Sequence, residues 1–203
     1  MKSLTLFDHL KIPAPTEVVD FEQRSRDAIH EARLKDFKAR CPLEFRSNIE
    51  RAKISSINAW DIADKWKPGE HPGLWLWSHE TGRCKTRMAW RKIGQAIVWY
   101  GLRYVITSGT GLADLCYENF RDGEPSEFVR RFKGLGFVVI DDVDKFPFND
   151  EKHGRAFREL FDMFYANHVS VLVTSNEPIS FVDSKLGESC GRRIHEVCGE
   201  IKF

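Results

Sequence analysis

From residue 73 onward, short continuous apolar runs alternate with longer segments in which apolar residues recur every three or four positions. The runs GLWLWS (73–78), RYVIT (103–107), GFVVI (136–140) and SVLVT (170–174) have the length and β-branched or aromatic content of buried strands. Between them, TRMAWRKIGQAIVWY places Ala89, Ile93, Ala96, Ile97 and Tyr100 on one helical face before Gly101 ends it. Further helices are predicted near GLADLCYENF and SEFVRRF. After the N-cap candidate Asp150, another runs to about Asn167, with Phe157, Leu160, Phe161 and Phe164 as its inner stripe. CGRRIHEVC reads as a last helix and EIKF as a closing strand. Strands alternating with amphipathic helices predict a parallel sheet with crossover helices, a three-layer α/β/α arrangement.

Upstream, the pattern changes. Residues 1–20 carry Pro13 and Pro15 with little periodicity and read as a tail or docking peptide. Phe21 to Arg40, with Ala28, Ile29, Ala32, Leu34 and Phe37, fits a helix stopped by Cys41-Pro42, and a second short helix is predicted over Ser47 to Trp66. KPGEHPG (67–73) is a turn-rich linker. The expected organisation is therefore a helical N-terminal extension over residues 1–66 and a main α/β domain over residues 67–203.

The length of 203 residues allows one sizeable core, and 42% hydrophobic with 30% charged residues is the composition of a soluble globular chain. No apolar run approaches the roughly 20 residues of a membrane-spanning helix, and the N-terminus lacks the layout of a secretory signal, so a cytoplasmic protein is expected. Five scattered cysteines without a C-x-x-C pair suggest reduced thiols; Cys190, His195 and Cys198 read as core or surface positions rather than a metal site. A net charge of +1 makes no general case for nucleic acid. Basic residues do cluster between Arg24 and Lys53, which fits a solvated helix face or a nucleic-acid surface.

The candidate chemistry lies at the ends of the predicted strands. HETGRCKT (79–86) follows the first and precedes a helix, the context in which G-x-x-x-x-G-K-S/T cradles phosphates, although His79 and Cys84 stand where that pattern has glycine. Gly82 is retained, Lys85 is placed to bridge β- and γ-phosphates, and Thr86 offers a hydroxyl to Mg²⁺; the alternative is a plain surface helix start. FVVIDD ends in Asp141 and Asp142, an arrangement in which one acid holds Mg²⁺ and the other polarises the attacking water, or else two acids that open a turn. In VLVTSN, Asn176 would meet that water or the γ-phosphate, or is turn chemistry before Pro178. Arg192 and Arg193 form either an arginine finger or a solvated pair.

The ordered set HETGRCKT, FVVIDD, VLVTSN and GRRIHEVCGEIKF resembles the DnaC/DnaI/IstB-like branch of the AAA+ ATPases, the helicase loaders, over about residues 73–203. The segment ARCPLEFR (39–46) extends the resemblance upstream. The resemblance implies a P-loop NTPase core without a C-terminal lid domain. It makes His79, Glu80, Thr81, Gly82, Arg83, Cys84, Lys85, Thr86 and Arg87 the nucleotide-binding loop, with Lys85 and Thr86 its Walker A lysine and Mg²⁺-ligating hydroxyl. Asp141, as metal ligand, and Asp142, as the catalytic carboxylate that polarises the attacking water, form Walker B; Asn176 is sensor I; Arg193, with Arg192 in reserve, is the arginine finger. ATP and Mg²⁺ are the implied cofactors. The implied partners are a replicative DNA helicase, single-stranded DNA and further copies of the chain in an ATP-dependent homo-oligomer, with no membrane. Arg103, Arg121, Arg130, Arg131 and Lys133 are candidate DNA contacts. The alternatives are a degenerate P-loop that holds nucleotide without turnover and a transposition helper ATPase of the IstB type; a small-molecule kinase is a more distant one.

Overall fold

A computed structural model describes residues 15–46, 49–70, 72–119, 132 and 134–203. Helix α1 (Pro15–Arg40) is followed by 3-10 turns at Leu43–Phe45 and Arg51–Lys53, and by α2 (Ile57–Lys65). The α/β part then runs β1 (Gly73–Trp77), α3 (Lys85–Val98), β2 (Tyr104–Ser108), α4 (Gly109–Asn119) and β3 (Phe137–Asp141). A 3-10 turn at Val143–Lys145 leads to α5 (Glu151–Ala166), β4 (Ser170–Ser175), α6 (Ile179–Leu186), α7 (Glu188–Val197) and β5 (Cys198–Lys202).

The five strands form one sheet in the order β2-β3-β4-β1-β5, and every neighbouring pair is parallel. Because side chains alternate across a strand, each strand feeds two cores. Trp75, Val138, Ile140, Val171 and Val173 face a cluster built from α4, α5, α6 and α7. Leu74, Leu76, Phe137, Val139 and Leu172 face a second cluster with α2 and α3. This is the three-layer α/β/α arrangement expected from the alternation of apolar runs and amphipathic helices.

Asp150 caps α5 by accepting the His153 backbone N–H at 3.0 Å, and Phe157, Leu160, Phe161 and Phe164 are all buried. In α3 the buried stripe contains Ala89, Ile93, Ala96 and Ile97, but Tyr100 lies beyond the helix and is exposed. Helix α1 begins at Pro15 rather than Phe21, so the expected tail shortens to residues outside the described set. Its seat on α3 is made by Leu34 and Phe37, while Ile29 is exposed. Gly94 permits that approach, since a Cβ there would stand 3.1 Å from the Phe37 ring. The helix expected over Ser47 to Trp66 is broken, because Ile54 is extended and α2 starts only after Ser56. Helix α6 was not foreseen, although Ile179, Val182 and Leu186 have helical spacing directly after Pro178. The helix expected at SEFVRRF falls largely outside the described residues.

Candidate functional site

The connection leaving β1 runs through α3 on one face of the sheet, whereas that leaving β4 runs through α6 and α7 on the other. Adjacent parallel strands whose connections part to opposite faces leave a crevice at their carboxyl ends. The loop Ser78–Cys84 and Asn176 lie there.

Cys84 is the residue before α3 and has φ 66°, in the left-handed region, while Gly82 has φ 75°. The loop thus keeps a glycine-like dihedral at Cys84 without the glycine. Its Sγ lies 4.0 Å from the Lys53 carbonyl and 3.9 Å from that of Gly82. Lys85 opens α3 and is buried; its ammonium donates to Ser78 O at 3.2 Å, Glu80 O at 3.4 Å and Asn176 Oδ1 at 3.2 Å. Desolvation lowers its pKa, opposed by the charges of Asp142, Asp144 and Asp141.

Thr86 Oγ1 donates to Asp141 Oδ1 at 3.1 Å, and the same oxygen accepts from Thr174 Oγ1 at 2.5 Å. Burial raises the Asp141 pKa, the two hydroxyl bonds opposing it and the neighbouring Asp142 charge adding to it. Asp142 has φ 51°, bonds the Thr174 hydroxyl through its N–H at 2.9 Å and receives Lys145 Nζ at 2.5 Å. Asn176 gives both its backbone and side-chain N–H groups to Asp144, at 2.9 and 3.0 Å.

These groups border a cavity of about 490 Å³ lined by Thr81 to Arg87 together with Phe45, Asp142, Lys145 and Asn176. The hydroxyl of Thr86 and the carboxylates of Asp141 and Asp142 are hard oxygen donors, the set that holds Mg²⁺ alongside substrate phosphates. Among the described residues no group of three or more His, Cys, Asp or Glu side chains is placed to hold a metal.

Other expected residues are placed elsewhere. His79 is exposed, with its ring against Trp77 and Nδ1 3.6 Å from Glu177; with Glu80 it lines a separate hollow beside Ser55, Ser56 and Phe203. Glu80 and Arg83 pair with each other. Arg87 borders the cavity, but its guanidinium lies over the Phe45 ring, 5.3 Å from the centroid, and donates to Glu44 O, so it seats the N-terminal segment at the cavity mouth. Arg193 is on α7, paired with Asp162 at 2.9 Å and with Glu196, over Tyr165, whereas Arg192 is exposed. Cys190 and Cys198 are buried free thiols. Arg103 precedes β2, at the sheet end opposite the cavity, and Arg121, Arg130, Arg131 and Lys133 are outside the described residues.

Sequence reasoning missed Thr174, Asp144, Lys145 and Phe45. The signal for Thr174 was a polar residue in an otherwise apolar strand, and the β3–β4 register sets it beside Asp141. Asp144 sits two residues after the acid pair. Phe45 carried no signal of its own.

No protein-family model and no curated protein matches the chain. Among solved structures, it is similar to the DnaC helicase loader with a TM-score of 0.58 and 17% identity, over 72% of this chain and 86% of that one. Against DnaI the TM-score is 0.59 at 16% identity, covering 85% and 93%. AMPPCP-bound DnaA from Aquifex aeolicus gives 0.56 at 18% identity over 70% of this chain, which spans only 44% of that protein. These likenesses show a fold shared with DnaC, DnaI and DnaA. Among the described residues no helix is long and apolar enough to cross a membrane.

Proposed function

We propose that this chain is an AAA+ ATPase of the helicase-loader type, which binds MgATP between the Ser78–Cys84 loop and the Asp141-Asp142 strand end. One observation carries the reading: Lys85 and Thr86 from the first turn of α3, Asp142 from the end of β3 and Asn176 from the end of β4 line one cavity, with Asp141 bonded to Thr86 beside it. Lys85 would turn from the loop carbonyls to the β- and γ-phosphates, helped by the N-terminal end of the α3 dipole. Thr86 and Asp141 would hold Mg²⁺, which when bound neutralises charge on the phosphate oxygens. Asp142 would take a proton from the attacking water.

The fold shared with DnaC and DnaI supports a role in delivering or opening a replicative helicase ring on single-stranded DNA. In that role ATP-bound copies assemble, Arg193 serves a neighbour's nucleotide with Arg192 in reserve, and hydrolysis releases the loader. A second reading, a nucleotide-holding switch without turnover, is favoured by one observation: all three Lys85 donors are already engaged, by Ser78, Glu80 and Asn176.

The test is ATP turnover at several protein concentrations, with and without single-stranded DNA, for the native chain and for Arg192→Ala, Arg193→Ala and Lys85→Ala. Turnover per subunit that rises with concentration, falls in an arginine variant and recovers when that variant is mixed with Lys85→Ala supports a finger acting between copies. Concentration-independent turnover with no recovery on mixing rejects it. Saturable binding of ATP without turnover selects the switch.

A further inference from the structure

We infer that Asp144 is a positioning residue: by taking both N–H groups of Asn176, it locks the Asn176 side-chain oxygen toward Lys85 and the phosphate cavity, making Asn176 a hydrogen-bond acceptor there. Asn176 N donates to Asp144 Oδ1 at 2.9 Å and Asn176 Nδ2 to Asp144 Oδ2 at 3.0 Å, while Lys85 Nζ donates to Asn176 Oδ1 at 3.2 Å. An ionised carboxylate only accepts and an ammonium only donates. An amide between the two has one acceptable orientation, because flipping it sets C=O against carboxylate and NH₂ against ammonium.

The clamp is held rigidly. Asp144 lies in the 3-10 turn that follows the left-handed Asp142, closed by Lys145 N to Asp142 O at 3.1 Å and Phe146 N to Val143 O at 2.9 Å. Val143 and Phe146 are buried in the core beneath that turn. Both oxygens of Asp144 are therefore placed by β3, and they set the rotamer of a residue at the end of β4.

The consequence for chemistry rests on the ATPase reading of this cavity. Phosphate oxygens at neutral pH are acceptors, so a side chain presenting its carbonyl oxygen cannot donate to the γ-phosphate. Once Lys85 turns to the phosphates, Asn176 Oδ1 is left facing the cavity and can accept a hydrogen from a water molecule placed for attack. Asp144 then affects turnover and leaves nucleotide affinity nearly untouched.

The experiment uses the full-length chain and the isosteric Asp144→Asn variant, with thermal melts to confirm folding and Asp144→Ala as a second variant. In ¹⁵N-labelled protein the Asn176 side-chain NH₂ is identified by its loss in Asn176→Ser. The carboxylate bond should place one of its protons apart from the bulk of side-chain amides, and Asp144→Asn should return it there. In parallel, MgATP affinity should stay within about threefold while kcat falls by about tenfold or more. An Asn176 amide signal unchanged in both Asp144 variants overturns the clamp, and a loss of affinity in step with kcat overturns the acceptor role. If the native protein binds ATP without hydrolysing it, the ATPase reading fails, while the amide signal still decides whether Asp144 holds Asn176.

Discussion

Thr86 Oγ1 stands 3.1 Å from Asp141 Oδ1, joining the first turn of α3 to the end of β3 across 55 positions of sequence. The contact requires the order β3-β4-β1 in the sheet, because Thr174 on the intervening β4 supplies the second hydroxyl on the same oxygen. Two hydroxyls thus converge on one half-buried carboxylate oxygen beside the cavity, an arrangement that would prepare it for the proposed Mg²⁺.

That preparation has a cost in the absence of nucleotide. The Asp141 pKa is raised chiefly by burial, so the folded state holds its proton more tightly than the unfolded chain. As pH rises from the ordinary carboxylate range through the raised value, stability is lost. Asp141→Asn should therefore raise the stability of the nucleotide-free protein at neutral pH by about 0.5–2 kcal/mol while weakening Mg²⁺-dependent ATP binding. Urea melts paired with ATP titrations, each with and without Mg²⁺, check both halves. A variant less stable than the native protein contradicts the account.

Cys84 carries a Cβ at φ 66°, where glycine is unstrained. Replacing it with glycine relieves the left-handed conformation but adds freedom to the unfolded chain. The net expectation is a gain of about 0.5–1 kcal/mol and ATP affinity equal to or better than native. Weaker ATP binding by Cys84→Gly would mean that the thiol makes a contact the strain conceals.

Lys92 is fully buried and donates to Asp64 O at 2.7 Å, Trp66 O at 2.6 Å and Gln95 Oε1 at 3.0 Å, tying the C-terminus of α2 to α3. Lys92→Met leaves these acceptors unpaired and should cost about 2–4 kcal/mol. Burial pushes the Lys92 pKa down to about 8, whereas an unfolded lysine titrates near roughly 10.4. Between those values the unfolded chain binds more protons than the folded one, so this group's contribution to stability rises with pH. The stability difference between native protein and Lys92→Met should widen from pH 7 to pH 9.5 in parallel urea melts.

Strands β1 to β4 were legible because each is a short apolar run between turn signals, and α5 because Asp150 and its phenylalanines mark both its cap and its face. The break before α2 was not legible, since helical spacing in ISSINAW continues through residues that the chain uses in extended form. Lys85, Thr86, Asp141, Asp142 and Asn176 were readable as strand-end motifs, and the structure brings them together. Asp144 and Phe45 were not, because their roles depend on which strands become neighbours and on how the N-terminal segment lies over α3. For Arg193, read as an arginine finger or half of a solvated pair, the partners Asp162 and Glu196 were not legible, because a helical period gives a residue's face but not its ion partners.

Whether the loop carrying Cys84 holds a nucleotide through Lys85 decides between an ATP site and an inert loop. Calorimetric titration of MgATP into the native protein and into Lys85→Ala is the most direct measurement. The structure predicts saturable binding at one site per chain, weakened about tenfold or more in the variant. No saturable binding by the native protein, or equal affinity in Lys85→Ala, would contradict it.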